Sequence, residues 1–73
     1  SENAKSEEDK VPRLIFSLYE YFKNNPNKLP VEMQVISQKE NIDRAVCDYI
    51  AGMTDPFAIL LFKKLFIPQS WNF

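Results

Sequence analysis

Three carboxylates, Asp43, Asp48 and Asp55, fall close together in a chain of 73 residues, and oxygen ligands of this kind can hold a hard cation. The plainer reading gives each a local task. Asp48 lies one turn beyond Arg44, the spacing of an i, i+4 ion pair, and Asp55 precedes Pro56, where a carboxylate accepts N–H bonds as a helix N-cap. Tyr49 falls on an apolar helix face, so its ring reads as core. Cys47 has neither a histidine base nor an adjacent cation in sequence, which favours a small buried hydrophobe over a nucleophile. Lys63 and Lys64 suit the last turn of a helix, where cations complement its exposed carbonyls.

The remaining composition narrows the chemistry. The chain has one cysteine, one glycine and no histidine. An internal disulfide is therefore impossible, a zinc or iron site lacks ligands, and no phosphate-cradling glycine loop can be built. No catalytic residue and no metal ligand set are assigned within the chain. A formal charge of -1, from nine basic and ten acidic residues, offers no electrostatic basis for binding nucleic acid or an anionic membrane. No apolar run approaches the ~18 residues of a membrane span, and no signal peptide is laid out. With a single cysteine, the expected compartment is a reducing one, the cytoplasm.

The elements that must position these groups are helical. Ser1 to Lys10 is charged and nearly devoid of apolar residues, so residues 1–10 read as a flexible lead or linker and 11–73 as a helical domain. Pro12 suits a first turn, followed by Leu14, Ile15, Leu18, Tyr19 and Phe22 at helical spacing, until Asn24-Asn25-Pro26-Asn27 breaks the run. Pro30 opens a weaker helix with Val31, Val35 and either Met33 or Ile36 inward, and Glu32, Gln34, Gln38 and Lys39 in water. Asn41 caps a third, whose Ile42, Ala45, Val46, Tyr49, Ile50 and Met53 form the clearest stripe in the chain. Gly52 marks either its C-terminal stop or a close backbone approach. A fourth helix runs from Pro56 to about Phe66 and is apolar most of the way round. No strand signal is present, so the fold class is all-α, with three or four short helices forming a small bundle.

The stretch Asp48-Tyr49-Ile50-Ala51-Gly52-Met53-Thr54-Asp55, with Phe57-Ala58 following, resembles the signature near the C-terminus of HD-domain deoxynucleoside triphosphate triphosphohydrolases, the group that includes bacterial dGTPases. The likeness extends back to Arg44 and more loosely from Leu29-Pro30 to Leu65-Phe66. Where many members continue with arginine after the last aspartate, this chain has Pro56, so no charge-based role of that arginine carries over. The resemblance implies a phosphohydrolase-associated domain, a C-terminal piece of a larger helical enzyme. Such an enzyme splits a dNTP into deoxynucleoside and triphosphate at a divalent metal held in the HD domain. A chain beginning at Ser1 rather than methionine fits a processed, cleaved or truncated product.

On this reading Asp48, Tyr49, Gly52, Met53, Thr54 and Asp55 are structural or pocket-adjacent. The surplus apolar residues, Phe57, Leu61, Phe62, Leu65 and Trp71, form a docking surface for the HD domain or an oligomer contact. The dNTP would be met only through the parent enzyme. The alternative is a free-standing helical interaction or dimerisation module using the same side chains. The chain is rich in material for either, at 45% hydrophobic and 14% aromatic, because a chain of this length buries only about 60% of its unfolded surface.

Overall fold

The computed structural model describes the backbone of residues 2–68 and the side chains of residues 11–68. Four helices succeed one another, α1 (Glu2–Asn24), α2 (Val31–Lys39), α3 (Ile42–Ala51) and α4 (Asp55–Phe66), with a single 3₁₀ turn at Pro26–Lys28 after the first. Among the described residues there is no strand, as the all-α reading requires.

The first helix starts earlier than its proline suggested. It is helical from Glu2, through the charged lead, and Pro12 lies inside it rather than at its first turn. Glutamate, lysine and alanine dominate residues 2–10, and their intrinsic helix propensity is high even where nothing apolar anchors them. Pro12 brings no N–H to the backbone ladder at that turn. The other end stops where expected, with the Asn25 Nδ2 donating to the Tyr21 carbonyl at 2.8 Å.

α3 and α4 converge on α1, while α2 packs on α3. Leu18 and Phe22, one turn apart, share a core with Ala45 and Val46 of α3, Ala58 of α4 and Leu29 of the α1–α2 connection. Alanine at two of these positions leaves room for the larger side chains of α1. Edge-to-face ring contacts tie α1 to its neighbours: Phe22 to Tyr49 of α3 at 5.3 Å and Tyr21 to Phe66 of α4 at 5.8 Å. The shape is a slab, 43 × 40 × 19 Å, with a radius of gyration of 14.1 Å against about 11 Å for an ideally compact domain of this length.

In α2 the inward face differs from the one expected. Val31 and Val35 point to solvent, Val31 with 73% exposure, while Met33 and Ile36 both pack on the core. Nor does Gln34 stay in water: its Nε2 donates to the Leu29 carbonyl at 2.7 Å and so fixes the buried Leu29 beneath the helix start. Asn41 caps α3 as read, its Oδ1 accepting from the Arg44 N–H at 2.7 Å. Cys47, expected inside, is exposed, because it sits on the flank of α3 beside a groove rather than under α1.

The corner between α3 and α4 corrects one assignment. Thr54, not Asp55, is the N-cap of α4: its backbone is extended and its Oγ1 accepts from the Phe57 N–H at 3.2 Å. Asp55 is the first helical residue, so it acts on the N-terminal dipole rather than through a cap bond. Gly52 closes α3 at φ -84°, ψ -3°, ordinary right-handed geometry. An added Cβ would meet only the Asp48 and Tyr49 carbonyl oxygens at 3.6 and 3.7 Å, normal contact distances. The close backbone approach therefore has no counterpart among the described residues, and the stop is what Gly52 supplies here.

Two outcomes follow for thermal or urea unfolding of the chain. Thr54→Ala should cost about 1 kcal/mol, the usual loss of an N-cap bond, whereas Asp55→Ala should cost less and lose its effect as salt screens the dipole. Gly52→Ala should stabilise by about 0.5 kcal/mol, because alanine fits the native angles and restricts the unfolded chain. Measured destabilisation at Gly52 would show that the corner is tighter than its geometry indicates.

Candidate functional site

The three carboxylates do not converge. Asp48 pairs with Arg44 as read, with the Arg44 Nε 3.2 Å from Oδ2, and Arg44 also reaches Glu40 at 3.9 Å. The carboxylate of Asp48 holds the Arg44 guanidinium above its ordinary pKa. Asp55 borders a crevice of only about 20 Å³ between the middle of α1 and the start of α4. Among the described residues no group of three His, Cys, Asp or Glu side chains could hold a metal ion, and the chain has no histidine. The donor set thus does not fit the metal of an HD enzyme, and no step through one is built on these residues. Among the described residues, no helix is long and apolar enough to cross a membrane.

The signature residues divide between core and corner. Tyr49 and Met53 pack against the core, and burial, reinforced by Glu32, pushes the Tyr49 hydroxyl above its usual range. Gly52, Thr54 and Asp55 lie exposed at the turn between α3 and α4.

The expected docking set is redistributed. Leu61, Phe62 and Leu65 pack on the domain's own core, since α1 lies along that side of α4. Phe57 remains outward, joined by Ile59, Leu60, Phe66 and Ile67. Trp71 lies outside the described residues. α1 adds Val11 and Phe16, the latter 63% exposed. Two open apolar grooves run on either side of α1. One, about 550 Å³, lies against α4 between Leu14, Ile59, Phe62 and Ile67, with Arg13 and Lys63 also lining it. The other, about 540 Å³, lies against α3 between Ile15, Phe16, Tyr19, Cys47 and Ile50. Apart from Arg13, Ser17 and Lys63 in the first, both grooves are lined almost wholly by apolar side chains among the described residues.

One polar contact was not legible from local spacing. The Tyr19 hydroxyl of α1 donates to Asp43 Oδ1 of α3 at 2.6 Å, and Lys23 Nζ stands 3.4 Å from the same oxygen and 5.6 Å from the Tyr19 ring centre. The hydrogen bond from Tyr19, then the ammonium of Lys23, hold the Asp43 carboxyl below its ordinary value. Tyr19 and Lys23 are each raised, foremost by their bond to Asp43. A depressed carboxylate stabilises the fold above its unfolded pKa, about 4 for aspartate, and loses that effect as pH falls through the folded value. Raised tyrosine and lysine groups contribute below their unfolded values and lose the effect in strong alkali. Asp43→Asn should therefore lower the melting temperature between pH 5 and 8, with the gap to the unsubstituted chain closing as acid protonates Asp43. A gap that persists unchanged into strong acid would assign the loss to packing instead.

Comparison with known proteins fits this helical geometry. Residues 1–64 match the model of the phosphohydrolase-associated domain. A deoxyguanosinetriphosphate triphosphohydrolase-like protein of Caldanaerobacter subterraneus subsp. tengcongensis is 43% identical over 68 residues, which is 93% of this chain and 20% of that protein. Proteins of the same description from Clostridium tetani and Geobacter sulfurreducens are 34% identical over 65 residues and 44% over 61. These matches cover 89% and 84% of this chain but 19% and 16% of those proteins. The chain thus spans about a fifth of the length of the curated relatives it matches. No solved structure matches it. Matched over nearly its whole length, the chain belongs to the phosphohydrolase-associated domain family.

Proposed function

We propose that this domain is the helical cap of a dGTPase-like dNTP triphosphohydrolase, docked on an HD domain of the same parent protein in the cytoplasm. The parent reaction would convert a dNTP and water to a deoxynucleoside and triphosphate, at a divalent metal held by the HD domain. The observation that carries this reading is the match to triphosphohydrolase-like proteins across only a fifth of their length. It is supported by apolar side chains on α1 and α4 that the domain's own core leaves outside, since large exposed apolar surface marks an interaction site. In this role the signature corner sets where α4 begins and which of its sides faces outward. The groups that touch nucleotide and metal lie in the rest of the parent.

The test exchanges domains. This chain replaces the matching segment of the full-length Caldanaerobacter protein, and triphosphate release from dNTPs is followed with Mn²⁺ or Mg²⁺. The exchanged protein should hydrolyse within about tenfold of the unmodified one, a version lacking the segment should lose most activity, and the isolated chain should show none above background. Full activity without the segment would refute the cap role. Hydrolysis by the isolated chain would move the chemistry into these residues, and a stable dimer of the isolated chain with its apolar face sequestered would favour a self-contained interaction module.

A further inference from the structure

We draw no further inference here: the strongest candidate, the pair of open apolar grooves on either side of α1, one against α4 and the other against α3 beside the exposed Cys47, carries nothing because nothing in the structure shows what covers either of them.

Discussion

One edge of one helix holds this domain together. Leu18 and Phe22 of α1 are the large side chains that the core encloses, with Val46, the two alanines and Leu29 around them. α2 has no such share: it packs on α3, places no fully buried residue in the core, and is secured through Leu29 and the Gln34 side chain that holds the Leu29 carbonyl. Loss of contact along the Leu18 edge would therefore release α3 and α4 together, and α2 with α3. In so thin a core, each buried side chain carries a large part of a total stability that is only some 5–15 kcal/mol even for ordinary domains.

The Tyr19–Asp43–Lys23 clasp supplements that edge in a different way. It joins α1 to α3 on the surface, where water screens it, so its contribution to stability is modest and its larger effect is on register. It fixes which turn of α3 lies against which turn of α1. Phe22 and Tyr49 make the same choice one turn further along by ring contact. Two independent contacts, one polar and one aromatic, thus select a single alignment of helices whose apolar edges alone would tolerate sliding.

What could be read from the sequence follows how local each signal is. The stripe of α3 and its Asn41 cap were legible because both are set within a few residues, and the Arg44–Asp48 pair likewise. Thr54 and Asp55 could not be separated, since both are good cap residues and the choice depends on which one adopts extended backbone. The inward face of α2 was misplaced because nine residues with apolar side chains on several sides define no clear stripe; α3 selects Met33 and Ile36. In α4 the same difficulty is larger. Its helix is apolar nearly all round, so spacing could not tell that Leu61, Phe62 and Leu65 would pack on the core while Ile59, Leu60 and Phe66 would keep much of their surface exposed. The Tyr19–Asp43 bond, spanning 24 positions, has no local signature at all. The helical lead was hidden for another reason: low hydrophobicity argues against a core but not against a helix.

The slab geometry explains why α4 is apolar on more sides than its own domain uses. With a smallest dimension of 19 Å, the molecule is about two helix diameters thick, so no helix can be surrounded and each keeps one side in solvent. For α2 and α3 that side carries much of the charge, including Glu32, Lys39, Arg44 and Asp48. On α1 and α4 it carries Val11, Phe16, Ile59, Leu60 and Ile67 beside Arg13, Lys23, Lys63 and Lys64, and α2 adds Val31 and Val35. An isolated soluble slab gains nothing from such residues in water, and they burden it with sites for nonspecific association. A layer within a thicker helical assembly needs them, because its second face becomes core when the next layer is laid down. The exposed apolar side chains of α1 and α4 are thus the surface that the proposed docking would bury.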